Sequence, residues 1–173
     1  ERESAAVSAE DVPQQETVVP PIEVDFTSLK AINQDIVGWI YIEALDISYP
    51  VVRGEDNDYY LHRTFEGKDN FSGSIFVEYR NSGDFSDSNT IVYGHNMKNQ
   101  EMFGSLQELY ASEDALQQYG EAVIYLPDRE LHYQIFAAVP YSNVHILYNY
   151  DFDNMRMAEI FYRDILNTRA INA

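Results

Sequence analysis

The side chains of this chain best suited to moving protons are its four histidines. His95 has the most suggestive setting. It follows Gly94 directly after the short apolar run Thr90–Tyr93, within the stretch NTIVYGHNMKNQEMF over Asn89–Phe103. The run predicts a strand, and a histidine at a strand end faces the rim of a sheet or barrel, where water and substrate reach it. Imidazole titrates near neutrality, so it can give and take a proton under physiological conditions. A glycine just before it allows close approach of backbone or substrate. Spacing alone leaves open a surface histidine in a turn. His62, beside Tyr60, Leu61 and Arg63, reads as a surface or packing residue. His132 falls on the polar face of an alternating segment and is expected to be solvated, and His145 lies in a loop between Val144 and Ile146. None of these three has a positioned partner evident in the sequence.

Other chemistries lack their residues. With no cysteine, disulfides and thiolate metal or redox sites are excluded. No HExxH, EF-hand loop or Cys/His spacing suggests a metal, and no GxGxxG, GxxxxGK[ST] or GxSxG motif occurs. Asp84, Asp87 and their neighbours read as a solvated loop, with calcium as the competing expectation. No cofactor and no metal are expected. The net charge of −18 argues against nucleic acid and against docking on anionic lipid. It fits a solubilised surface protein, or attraction of a cationic amine.

The elements that must position His95 follow from patterning. Residues 1–23 are acidic, contain Pro13, Pro20 and Pro21, and show no period, so they predict a disordered linker or stalk. The folded part, 24–173, opens on a helix capped by Asp25, with Leu29, Ile32 and Ile36 at helical spacing. Strands are predicted at Val37–Ile42, Tyr49–Arg53, Ser74–Tyr79, Thr90–Tyr93, Ala122–Leu126 and Leu131–Val139. In the last, Leu131, Tyr133, Ile135, Ala137 and Val139 share one face. Asp56–Phe65 suits a short helix or turn, and Leu106–Tyr119 one or two short helices. Asn154–Leu166 is helical by the spacing of Met157, Ile160, Phe161 and Ile165, with Asp153 as cap. The fold class is mainly β: a closed or nearly closed barrel with peripheral helices. No run of about 18 apolar residues occurs, so no transmembrane helix is expected within this stretch.

Three segments resemble the class B sortases, cysteine transpeptidases of Gram-positive bacteria. Asn33–Arg53 (NQDIVGWIYIEALDISYPVVR) looks like the first two strands of the family barrel, Asp56–Phe65 like the helix-turn after them, and Asn89–Phe103 like the strand and loop of the catalytic histidine. Asn154–Leu166 is similar to the helix that class B members place between their sixth and seventh strands. The resemblance implies that His95 protonates the leaving amine and deprotonates the incoming one, and that Asn57 and Leu61 line the substrate groove. It implies secreted protein substrates with a C-terminal sorting motif, and a peptidoglycan precursor or pilin amine as acceptor. It places the protein at the extracellular face of the membrane, anchored by an N-terminal segment.

The family's cysteine and arginine stand on a seventh and an eighth strand, which this sequence lacks. Arg156, Arg163 and Arg169 come too early for that arginine. The expectation is therefore a class B sortase cut before its nucleophile and inactive as written. The alternatives are a non-catalytic module that binds sorting peptides or wall components, and a structural surface domain in which His95 is incidental.

Overall fold

The computed structural model describes residues 22–167 except 111–113, 116–119, 140 and 142–143. The expected linker 1–23 thus lies almost wholly outside the described residues. The helix α1 spans Phe26–Ile32, and Asp25 caps it as predicted: its Oδ1 accepts the Ser28 N–H at 3.0 Å. Ile36 does not continue this helix. The chain turns at Asn33, whose side-chain amide donates to Tyr60 Oη (2.7 Å) and to the Phe65 carbonyl (2.6 Å). Ile36 instead opens the first strand.

Six strands form one curled sheet: β1 (Ile36–Ile42), β2 (Ile47–Val52), β3 (Ile75–Val77), β4 (Val92–Tyr93), β5 (Glu121–Tyr125) and β6 (Glu130–Gln134). Their order is β4-β3-β2-β1-β5-β6. All neighbours are antiparallel except β2 and β3, which run parallel with Val51 opposite Ile75 and Val52 opposite Phe76. Parallel neighbours need a long crossover, and residues 53–74 supply it.

β3 is buried on both faces. Ile75 and Val77 join the main core with Ile40, Ile42, Ile47, Val51 and Ile124. Phe76 points the other way, into a smaller core with Ile36, Val52 and Tyr60. The crossover covers that second face. The Ser74 N–H donates to the Tyr60 carbonyl at 3.0 Å and Ser74 Oγ to the Arg63 carbonyl at 2.7 Å, so the 3-10 turn Tyr59–His62 is tied to the start of β3.

The last predicted strand is shorter than expected. The alternation of Leu131–Val139 does not hold along its length. β6 ends at Gln134, Tyr133 is 44% exposed, and Ala138 rather than Ala137 is buried. Among the described residues β6 pairs only with β5, and the ladder stops at Gln134 opposite Glu121. A short helix does occur where Leu106–Tyr119 was expected to hold one or two: the 3-10 helix Gly104–Tyr110, with most of the remainder to Tyr119 outside the described residues. The one-turn helix α2 (Ile146–Asn149) was not foreseen.

The helix α3 spans Met155–Asn167 and buries Phe161 and Ile165. Its cap is Asn154, not Asp153. Asn154 Oδ1 accepts the Arg156 and Met157 N–H groups at 3.1 and 3.4 Å, while Asp153 accepts from Ser88 Oγ at 2.6 Å. Phe161 holds the helix down through edge contacts with Tyr150 and Phe152, ring centroids 4.9 and 5.1 Å away.

Candidate active site

His95 stands one residue beyond Gly94 at the end of β4, half-buried at the rim of the sheet. The glycine is required by packing. A Cβ there would clash with Ile75 Cδ1 and lie 2.6 Å from Phe103 Cδ2. The loop after His95 folds back on it, with the Phe103 N–H donating to the His95 carbonyl at 3.0 Å. Two more rings flank the imidazole. His62 lies 5.6 Å from it and Phe71 6.2 Å, centroid to centroid. His62 is exposed, and Phe71 is 76% exposed, so the three rings form a ledge open to solvent.

The crossover brings Leu61 to the end of β3 and β4 where His95 stands, because Tyr60 is tied to Ser74 at the start of β3. Leu61 packs on the small core beside Tyr93. Asn57 sits at the opposite end of β3, past Val77. Its Nδ2 donates to Glu78 Oε2 at 2.6 Å, and its Oδ1 accepts the Tyr79 N–H at 3.1 Å. The Tyr93 hydroxyl donates to the same Glu78 oxygen at 2.9 Å.

Glu78 and Tyr93 were missed by the sequence reading. Glu78 ends the apolar run of β3 on the face of Phe76 and is completely buried. A carboxylate is almost never fully buried unless it is paired. That acid at the end of an apolar strand was the available signal, but its partners are remote in sequence. Burial opposes the Glu78 charge, and hydrogen bonds from Asn57, Tyr93 and His145 outweigh it, holding the carboxyl below its ordinary range. Burial, then the bond to Glu78, pushes the Tyr93 phenol well above its usual value.

The remaining histidines do find partners. His145 Nε2 lies 3.0 Å from Glu78 Oε2. His132 bridges Glu121 and Glu130 at 3.3 and 3.1 Å on the exposed face of β5 and β6, and its bonds to Glu130 and Glu121 raise its pKa. The carboxylates of the 82–87 loop turn onto the loop's own donors. Asp84 Oδ1 accepts from Ser82 Oγ and from the Ser86 N–H, which lowers its pKa to about 2. Among the described residues no group of three or more ligating side chains could hold a metal ion.

A large cleft of about 720 Å³ opens beside this network, between residues 80–89 and 147–153. Arg80 lies over the Tyr148 ring at 3.8 Å within it, and the Tyr148 ring meets His145 edge-on at 4.5 Å.

Strands β2 to β6, with Gly94 and His95 at the rim, lie within a stretch that matches one known domain family. The sortase domain model matches residues 40–157, and the chain belongs to that family. It is 45% identical over 92 residues to sortase B of Listeria monocytogenes, a match covering 53% of this chain and 37% of that one. The chain spans little more than a third of the length of the curated relatives it matches. Among solved structures it is similar to a sortase B–substrate complex from Staphylococcus aureus, with a TM-score of 0.76, 30% identity, and 86% of this chain and 68% of that one covered. It is also similar to a class B sortase of Streptococcus pyogenes involved in pilus biogenesis, with a TM-score of 0.72, 29% identity, and 86% and 80% covered. The structural neighbours are class B sortases, and the mainly β barrel fold is the one expected.

Proposed function

We propose that this domain is the histidine-bearing part of a class B sortase transpeptidase, and that His95 is its general acid and base. The observation that carries this is the setting of His95: half-buried at the barrel rim behind a glycine that packing requires, beside a ledge of exposed rings. The 173 residues contain no cysteine, so on this reading the thiol comes from outside them. In the transfer, the thiolate attacks a backbone carbonyl of the sorting motif. The C–N bond breaks, the leaving amine takes a proton from His95, and a thioester forms. An incoming amine then attacks the thioester, gives its proton to His95 and displaces the thiolate. Splitting one hard step into two is the advantage of covalent catalysis.

Asn57 and Leu61 line the groove on this reading. Leu61 offers an apolar wall, and Asn57 keeps one amide hydrogen free of Glu78. The donors are secreted proteins with a C-terminal sorting motif, and the acceptor is a peptidoglycan-precursor or pilin amine. Involvement in pilus biogenesis, stated of the Streptococcus pyogenes relative, keeps both acceptors in view. The site of action is the cell surface, through an anchor outside these residues. No helix among the described residues is long and apolar enough to cross a membrane.

The test is transpeptidation by the full-length protein, with a peptide carrying the sorting region of a secreted protein of the same organism. His95→Gln is expected to lower the rate by about 10²–10⁴-fold, the usual worth of a general acid or base. An unchanged rate refutes the role of His95. Peptide binding with no turnover in the unaltered protein favours a binding module instead.

A further inference from the structure

The transfer chemistry leaves one buried carboxylate unused. Glu78 has no exposed surface, and its Oε2 collects hydrogen bonds from three separate segments: Asn57 of the crossover, Tyr93 of β4, and His145 of the loop before α2. Its Oε1 and His145 Nδ1 are buried and have no hydrogen-bond partner among the described residues. Burying such a charge is costly, and a whole buried cluster of this kind can often be replaced by packed apolar side chains with no loss of stability. The fold alone therefore gives little reason for a carboxylate here.

What the carboxylate holds gives the reason. Tyr93 lies two residues before His95, with only Gly94 between them. Asn57 belongs to the crossover that seats His62 against His95. His145 begins the segment whose Tyr148 stacks under Arg80 at the large cleft. One oxygen thus fixes the strand that carries the histidine, the crossover beside it and the loop bordering the cleft.

We propose that Glu78 is a positioning residue for His95, anchoring β4, the crossover and the 144–150 loop to one another from beneath the rim. This rests on His95 being the general acid and base. A shift of about 1 Å in a reacting group can cost 10²-fold in rate, so a loosened anchor is felt at the chemistry.

The test compares Glu78→Gln and Glu78→Asp in the full-length protein. Hydrogen exchange reads the anchor directly, because the Tyr79 N–H donates to Asn57 Oδ1 and the Tyr150 N–H closes α2 onto Ile146. In Glu78→Gln, exchange at Tyr79 and Tyr150 is expected to quicken about tenfold or more while β1 and β2 keep their protection. The kcat of transpeptidation is expected to fall by about tenfold or more with KM little changed. Glu78→Asp, which keeps the charge, is expected to recover part of both. Unchanged exchange and kcat overturn the proposal, and so does loss of protection throughout the sheet in both variants, which would make Glu78 a residue of the fold alone. If His95→Gln proves fully active, the catalytic reading fails, yet the exchange at Tyr79 still reports whether Glu78 is the anchor.

Discussion

His145 Nε2 lies 3.0 Å from Oε2 of the buried Glu78, joining residues 67 positions apart in the chain. The same oxygen accepts from Tyr93 of β4 and Asn57 of the crossover. The carboxyl is held below its ordinary value of 4.5. A depressed folded-state pKa stabilises the fold above the unfolded value, and that stabilisation is lost as pH falls through the folded one. The melting temperature is expected to drop below about pH 4.5, and the acid limb of Glu78→Gln to be shallower. Thermal melts from pH 3 to pH 7 read both slopes, and parallel acid limbs would contradict the linkage.

Gly94 is fixed by steric fit. Gly94→Ala would press a methyl against Ile75 and Phe103. Overpacking of this kind costs about 1–3 kcal/mol. Urea unfolding should show that loss, and transpeptidation should fall with it as β4 and His95 shift.

Phe161 anchors α3 through Tyr150 and Phe152. Phe161→Ala is expected to cost about 3–5 kcal/mol, the range for deleting a buried phenylalanine ring. A stability loss below about 1 kcal/mol would mean that α3 contributes little to the cooperative unit.

The cap assignment separates two adjacent residues. Asn154→Ala should destabilise α3 by about 1 kcal/mol, the usual worth of an N-cap. Asp153→Ala removes an exposed bond to Ser88 and should cost less. The reverse order, measured by chemical denaturation, would restore Asp153 as the cap.

The sheet was legible because its strands are short apolar runs broken by turn residues. VGWIYI, SIFVEY and AVIYL fell on β1, β3 and β5 with small shifts at their ends. His95 was legible because a glycine and a histidine close such a run. Leu131–Val139 misled because alternation does not say where pairing stops: among the described residues β6 pairs with β5 and ends at Gln134. The helix cap was off by one because Asp153 and Asn154 are both good capping residues, and a contact with Ser88 far back in the chain takes Asp153.

The sequence by itself determined the mainly β class, the strand periods, the rim histidine and the lack of a thiol in these residues. Those are local properties: a period of two, a glycine, a composition. Only the tertiary structure decided that β2 and β3 run parallel, that the crossover carries His62 to His95, and that Glu78 gathers Asn57, Tyr93 and His145 onto one oxygen. Each of these depends on contacts between segments far apart in the chain. A carboxylate in a strand reads the same whether it meets water or three donors, and its environment exists only once the chain has folded.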